Sequence, residues 1–149
     1  MEVINSKIIN AAVGDVWDAL VNPDKTMIYM FGCKAVSDWA PGSKLLWEAE
    51  IEGKKMVFVT GKVLTFEAPQ LLQYTVFDPN KDMEDIPANH LRVTYQLEAV
   101  EGLTKLTIKQ DGFEHAAMGE ERYKEVYNNG VGWDPILQQI ADLVEGKKG

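Results

Sequence analysis

The stretch "LRVTYQLEAVEGLTKLTIKQD", residues 91–111, alternates apolar and polar residues along two runs that are separated by Glu101-Gly102. Alternation of this kind is typical of two half-buried antiparallel strands that are joined by a tight turn. One face of this hairpin is predicted to be buried and the other to be exposed to solvent. The residues assigned to the buried face are Leu91, Val93, Tyr95, Leu97, Ala99, Leu106, Ile108 and Gln110.

Other segments continue the sheet on both sides of this hairpin. Residues 2–10 alternate weakly, whereas residues 43–56 and 71–78 alternate clearly. Residues 56–66 are apolar on both faces at their start, so this strand is predicted to be either covered on both sides or bulged, and Gly61 indicates a bend. We therefore expect an antiparallel sheet of about six or seven strands.

Helical spacing of apolar residues occurs near both ends of the chain. Residues 14–24 predict a helix that ends at Asn22-Pro23, and residues 25–31 predict a second short helix. Residues 119–145 predict one long C-terminal helix, so the order of elements indicates the α+β class. The apolar face of that last helix comprises Tyr123, Val126, Gly130, Trp133, Leu137, Ile140 and Val144.

The segment "NNGVGWDPIL", residues 128–137, is unusual for a helix interior, because Gly costs about 1 kcal/mol and Pro about 3 kcal/mol relative to Ala. Gly130 lies on the predicted apolar face, where a core position needs a side chain. Either a bulky sheet residue approaches the helix backbone there, or a gap between helix and sheet admits a ligand. Asp134 and Pro135 favour a cap and a new helical turn, with a bend at Gly132.

Composition limits the class of protein. The 149 residues are 46% hydrophobic, which predicts a single domain over residues 1–149. A net charge of −8 disfavours nucleic acid and anionic membranes as partners. The single cysteine, Cys33, favours a reducing compartment. Without a signal-peptide pattern or a membrane span, we expect a cytoplasmic protein.

Few residues suggest catalysis or metal binding. His90 and His115 are predicted to lie in loops, and Cys33 has no metal-ligand spacing to either of them. Residues 78–89 begin like a calcium loop, but Met83 and Asn89 stand where the loop needs Gly and Glu. We therefore expect a solvated loop there, no metal and no cofactor. Glu48 and Glu50 are expected to face water.

Aromatic residues indicate a binding site instead. Trp47, Tyr74 and Tyr95 are assigned to buried faces, and Trp133 lies on the apolar face of the last helix. Buried Tyr and Trp need hydrogen-bond partners, so around a gap they would form an apolar pocket with a few polar groups. The predicted ligand-binding residues are Trp47, Phe58, Tyr74, Tyr95, Gln110, Tyr127, Gly130 and Trp133.

Several motifs together resemble the activator of heat-shock-protein ATPase homologue-like (AHSA-like) family of the SRPBCC superfamily, which includes the START and birch-pollen-allergen (Bet v-like) proteins. Met30 departs from the family pattern, in which a tryptophan often precedes Phe-Gly. The resemblance implies a helix-grip fold, in which a curved sheet wraps around the C-terminal helix and encloses a hydrophobic cavity. The motifs are "VWDALVNP" (16–23), "GKVLTFEAPQLLQYTV" (61–76), "VTYQLE" (93–98), "TKLTIKQDGF" (104–113) and "GWDPILQQIADLVE" (132–145).

The resemblance leaves three functions open. The first is binding of a small hydrophobic or aromatic ligand, lipid or polyketide-like, between the sheet and the C-terminal helix. The second is a chaperone ATPase activator-like interaction module, for which the acidic residues 78–85 would be a contact. The third is a cyclase- or hydrolase-type enzyme that uses the same cavity. The fold also implies that a homodimer can form.

Overall fold

The computed structural model describes residues 1–146, so residues 147–149 of the predicted domain lie outside it. Within the described residues the strands form a seven-stranded antiparallel sheet with the order β1-β7-β6-β5-β4-β3-β2. The prediction of an α+β helix-grip architecture with six or seven strands is confirmed. The strands are β1 (Val3–Ile9), β2 (Lys34–Ser37), β3 (Lys44–Ile51), β4 (Lys54–Glu67), β5 (Leu71–Val76), β6 (Leu91–Val100) and β7 (Leu103–Asp111).

The alternation in residues 91–111 produces the predicted hairpin. Strand β6 pairs with β7, and Tyr95 lies opposite Ile108. Both of these side chains are fully buried, whereas Gln96 and Lys105 on the other face are exposed. A two-residue turn at Glu101-Gly102 connects the strands. The buried face of the sheet is therefore the one that the sequence pattern assigns, except at the end of β6, where Ala99 was assigned to the buried face and is exposed.

Two short helices follow β1, as predicted. Helix α1 (Val13–Val21) buries Val16, Trp17 and Leu20 in the main core. Asn22 ends α1 and starts α2 (Pro23–Tyr29), because its side-chain oxygen accepts a hydrogen bond from the backbone N–H of Asp24 at 3.0 Å. The tight link connects α1, which contacts β6 and β7, to α2, which contacts β2 at the edge of the sheet.

The C-terminal segment differs from the prediction of one continuous helix. It forms α3 (Gly119–Tyr127) and α4 (Asp134–Val144), which are separated by a short 3₁₀ turn and a loop. Asn128 and Asn129 have left-handed backbone conformations, so the α-helical path stops at Tyr127. Pro135 lies in the first turn of α4, where its missing N–H is tolerated, although Asp134 makes no capping bond.

Helix α4 provides the apolar surface that faces the sheet. Its residues Ile136, Leu137, Ile140 and Ala141 are buried in the main core together with α1 and the inner face of the sheet. With 11 residues α4 is the longest helix in residues 1–146. None of the described helices is long and apolar enough to cross a lipid bilayer.

Candidate ligand-binding site

A cavity of about 560 Å³ lies between the inner face of the sheet, the α2–β2 connection and the residue that precedes α4. Small-molecule sites in proteins commonly have volumes of about 300–1,000 Å³ and mostly apolar walls. The cavity is lined by Met30, Phe31, Gly32, Cys33, Trp47, Ala49, Glu50, Ile51, Phe58, Val59, Tyr74, Val76, Val93, Gln110 and Trp133.

A bulge in β4 shapes the sheet side of the cavity. Trp47 of β3 pairs with Val59, but the next residue, Glu48, pairs with Val57, so Phe58 is an extra residue on β4. Such a bulge interrupts the strict alternation of faces. As a result, the neighbouring residues Phe58 and Val59 both line the cavity. Of the two interpretations of the start of this strand, the bulge is therefore the one observed.

Tyr74 forms the floor next to Trp47, and Tyr95 supports it from behind. The hydroxyl oxygens of Tyr74 and Tyr95 are 2.6 Å apart and share a hydrogen bond, and their rings meet edge to face with centroids 5.4 Å apart. The ring of Trp47 lies 5.9 Å from that of Tyr74. Burial raises the pKa of both phenols above the ordinary value, since the charged form would lose its hydration. The floor is therefore neutral and of low polarity.

Trp133 closes the cavity on the side of α4, and Asn5 of β1 holds it there. The backbone N–H of Trp133 donates to Oδ1 of Asn5 at 2.9 Å. Nδ2 of Asn5 donates to Oδ1 of Asp134 at 3.1 Å and to the carbonyl oxygen of Val131 at 3.4 Å. The indole Nε1–H of Trp133 donates to Oε1 of Gln110 at 3.1 Å. These bonds fix the ring that the cavity presents.

Gly132 allows Asn5 to approach the backbone of Trp133 closely, a contact that we call the Asn5 clamp. Its φ is +50°, and a Cβ placed there would lie 2.3 Å from Oδ1 of Asn5 and 2.9 Å from Cγ1 of Val3. Real Cβ atoms do not approach other atoms so closely, so any side chain would push Asn5 away from Trp133. The glycine next to the tryptophan therefore serves the close contact between β1 and the loop before α4.

The mouth of the cavity is formed by the α2–β2 connection and the end of β3. Phe31 is 88% exposed and has a φ of +56°, an uncommon backbone conformation for an aromatic residue. Ile51 at the end of β3 also lines the cavity and is 46% exposed, and Glu50 beside it is exposed as well. Cys33 is half-buried in the wall, where burial raises the pKa of its thiol. The rim thus combines exposed apolar groups with one carboxylate.

The structure brings together five of the eight residues predicted to bind a ligand: Trp47, Phe58, Tyr74, Gln110 and Trp133 line the cavity. Tyr95 lies behind Tyr74 and supports its hydroxyl instead of lining the wall.

The remaining two predicted residues lie outside the cavity. Tyr127 is 44% exposed and stacks on Tyr123 with ring centroids 5.6 Å apart. The prediction that Gly130 leaves a gap between helix and sheet is wrong, because Gly130 is exposed in the turn between α3 and α4. A Cβ at Gly130 would meet nothing closer than the Tyr127 hydroxyl at 3.7 Å. The cavity therefore does not depend on Gly130.

Some lining residues were missed by the sequence interpretation. Val76 and Val93 could have been predicted from the alternation, since they share the buried faces of Tyr74 and Tyr95. Met30 and Phe31 were predicted as the end of the second helix, but α2 ends at Tyr29, and the irregular connection that follows has no periodicity. Glu48 was expected to face water, but its side chain is only 12% exposed and its carboxylate contacts Nζ of Lys55 at 3.1 Å.

Both histidines lie outside the cavity lining, and His90 has a structural environment of its own. Its ring stacks on Phe77 with centroids 4.9 Å apart, and its two nitrogens contact the Thr75 hydroxyl at 3.3 Å and the Asp85 carboxylate at 2.6 Å. His115 belongs to a short 3₁₀ turn after β7. In residues 1–146 no group of three His, Cys, Asp or Glu side chains is placed to hold a metal ion.

Comparisons with known proteins agree with this architecture. Residues 10–145 match the family described as Activator of Hsp90 ATPase homolog 1-like protein. Among solved structures, ChR145 from Cytophaga hutchinsonii is 32% identical with a TM-score of 0.73, and the match covers 98% of this chain and 94% of that one. The comparison with curated proteins returned no match.

More distant structures share the fold alone. CalU16 from Micromonospora echinospora is 20% identical with a TM-score of 0.70, and the match covers 99% of this chain and 76% of that one. The structure described as the Aha1 dimer from Colwellia psychrerythraea is 16% identical with a TM-score of 0.68, covering 100% of this chain and 99% of that one. Identities this low show a common architecture and carry no function across.

Proposed function

The chain belongs to the activator of Hsp90 ATPase homolog 1-like family, and from this premise we propose that it binds a small apolar or aromatic molecule, lipid or polyketide-like, between its sheet and the start of α4. Family membership alone does not select a function, since related domains use one fold for different purposes. The observation that carries the proposal is the cavity of about 560 Å³ with aromatic walls.

The walls favour a flat apolar ligand. Trp47 and Trp133 face the cavity from opposite sides, the sheet and the loop before α4, and Phe58 projects from the bulge. Burial of apolar surface contributes about 25 cal/mol per Å² and supplies the main driving force. Exposed Phe31 at the mouth provides an apolar surface that a ligand meets on entry.

Filling the cavity tests the proposal. The probe is N-phenyl-1-naphthylamine, a neutral aromatic dye whose fluorescence rises in apolar surroundings. Ala49→Phe places a ring in the cavity from β3, and we expect it to weaken dye binding about tenfold, a loss of roughly 1.4 kcal/mol. Ala99→Phe is the matched control, because Ala99 is an exposed strand residue outside the cavity. Equal binding by both variants would refute the proposed location.

Two further measurements locate the bound dye. Cys33 is the sole cysteine of the chain and lines the cavity, so bound dye should slow its reaction with a thiol reagent. Gly130→Leu, which would close the gap expected from the sequence, should leave binding unchanged because Gly130 lies in an exposed turn. If the dye binds without protecting Cys33, it occupies another surface. Native mass spectrometry of protein purified from its own host then identifies the natural ligand class.

The family description supports a second proposal, in which the chain stimulates a heat-shock chaperone ATPase through its outer surface. The acidic residues Asp82, Glu84 and Asp85 lie in an exposed loop after β5 and would contact a basic surface. Adding the protein to the cognate chaperone should then raise the rate of ATP hydrolysis, and Asp82→Asn with Glu84→Gln should reduce the increase. An unchanged rate with the native chain would refute this proposal.

A homodimer is proposed on the description of one relative, since the structure from Colwellia psychrerythraea is described as a dimer. The molar mass in solution decides between one and two copies. Light scattering during size-exclusion chromatography should give twice the mass of the 149-residue chain, which is 16.7 kDa. A value of one chain mass at all concentrations would refute the dimer.

A further inference from the structure

The amide of Gln110 has a fixed orientation inside the cavity. Gln110 lies on β7, is only 5% exposed and lines the cavity. An indole N–H can only donate a hydrogen bond, so the group that faces Nε1 of Trp133 at 3.1 Å must be the amide oxygen of Gln110. The NH₂ group therefore points along the other branch of the side chain, and its role in the cavity is that of a donor.

That donor lacks a partner within residues 1–146. No described group accepts a hydrogen bond from Nε2 of Gln110, although the oxygen of the same amide is paired. Among the described residues no side-chain nitrogen or oxygen is both buried and unpaired, so Nε2 of Gln110 is reached from the cavity. An oxygen atom of a bound ligand can therefore accept its hydrogen bond.

The charges around the cavity limit what that acceptor can be. The lining residues include no Lys, Arg or His, and their one carboxylate, Glu50, lies at the exposed rim. A carboxylate or phosphate buried beside Gln110 would have no cation to compensate its lost hydration. A neutral oxygen, such as a ketone, ester or quinone carbonyl, accepts the same hydrogen bonds without that penalty.

From this arrangement we propose that the ligand is an uncharged apolar carbonyl compound whose oxygen accepts a hydrogen bond from Nε2 of Gln110. The inference rests on the proposed function and specifies its ligand class. The aromatic body of the ligand lies against Trp47, Phe58 and Trp133, and the carbonyl points toward β7. Trp133 then has two roles, as a wall of the cavity and as the group that orients the Gln110 amide.

Three matched probes test the ligand class: 2-acetylnaphthalene, 2-ethylnaphthalene and 2-naphthoate. They share one aromatic body and differ in a neutral carbonyl, no acceptor and an anionic acceptor. We expect the ketone to bind about threefold to tenfold more tightly than the hydrocarbon, the usual effect of one hydrogen bond. The carboxylate should bind most weakly. Isothermal titration gives the affinities, and protection of Cys33 from a thiol reagent verifies the site.

Variants at Gln110 assign the preference to its amide. Gln110→Met removes the donor at similar length, so the ketone should lose its advantage while the hydrocarbon binds as before. Gln110→Glu keeps an acceptor for the Trp133 indole and also lacks the NH₂ group, which keeps the test valid if the methionine variant fails to fold. Gln96→Met, an exposed position on β6, is the matched control and should behave as the native chain.

The outcomes separate this inference from the proposed function. If the hydrocarbon binds and protects Cys33 but the ketone is not preferred, the carbonyl inference fails and the cavity function stands. If the preference persists in Gln110→Met and Gln110→Glu, the inference also fails, because another group supplies the donor. If none of the three probes binds or protects Cys33, the proposed function and the inference fail together.

Discussion

Gly132 and Gly130 look equivalent in the sequence but have different surroundings in the folded chain. Both have positive φ angles, +50° and +91° respectively. At Gly132 a Cβ would meet Asn5 and Val3, whereas at Gly130 the nearest atom is the Tyr127 hydroxyl at 3.7 Å. The difference comes from β1, at the opposite end of the chain, and no local pattern could have indicated it. Gly132 is therefore the glycine that the site depends on.

Alanine substitution at the two glycines should separate backbone strain from steric conflict. Gly130→Ala is expected to lower the free energy of unfolding by about 1 kcal/mol, because only the left-handed conformation is penalised. Gly132→Ala should lower it by about 2 kcal/mol or more, since the contact with Asn5 is also lost. Urea denaturation measures both values. Equal losses for the two variants would contradict the steric role assigned to Asn5.

At the scale of elements, the sequence predicts which residues are buried wherever a strand keeps a regular alternation. The clean alternation in β6 and β7 assigned every buried residue from Leu91 to Leu97 correctly, because a half-buried antiparallel strand has a strict period of two. The extra residue Phe58 interrupts that period in β4, so its facing was left open. In the C-terminal segment the periodicity predicted too much helix. Helical spacing of apolar residues continues through residues 128–133, although the backbone leaves the helix there.

The bend of β4 against β5 depends on Gly61. A Cβ at this position would lie 1.7 Å from the carbonyl oxygen of Thr75, so the two backbones touch between the pairs Thr60–Phe77 and Val63–Tyr74, just before the register shift between Val63 and Thr65. Gly61→Ala must separate the strands and should lower the free energy of unfolding by about 3 kcal/mol or more.

A second Gly→Ala change is the control for this prediction. Gly14→Ala, in α1 with open space around its Cβ, should instead raise the stability by about 0.5–1 kcal/mol. Thermal unfolding followed by circular dichroism compares the two variants. A neutral result for Gly61→Ala would show that β4 and β5 can separate without loss, which would contradict the close approach seen here.

For the whole molecule, the fold class follows from the order of elements, but the cavity does not. Segregated strands and helices predicted the α+β architecture. The position of the cavity depends on the irregular connection 30–33, the β4 bulge and the Asn5 clamp. The bulge alone has a local signature, the apolar run at the start of β4, and the other two features depend on tertiary contacts. Hence the sequence predicted the aromatic lining residues Trp47 and Tyr74 on regular strands, but it did not predict the residues of the cavity mouth.

Three buried phenols couple the stability of the whole molecule to alkaline pH. Burial raises the pKa of Tyr29, Tyr74 and Tyr95 above the ordinary value of about 10. Above that pH the unfolded chain loses these protons while the folded chain keeps them, so ionisation stabilises the unfolded state. The stabilising effect is complete below about pH 10 and is lost as the pH rises toward the folded-state pKa values.

The free energy of unfolding should fall steeply with pH above about pH 10. Each buried tyrosine lowers the free energy of unfolding by about 1.4 kcal/mol per pH unit in this range, or roughly 4 kcal/mol for all three. A domain of ordinary stability should therefore unfold within about two pH units above pH 10. Phenolate absorbance from these three rings should appear together with the loss of circular dichroism, because ionisation of a buried phenol requires its exposure. Tyr29→Phe removes one of the three groups, so the free energy of unfolding of this variant should fall by about one third less per pH unit. Ionisation of the three buried rings in a chain that stays folded would contradict the coupling.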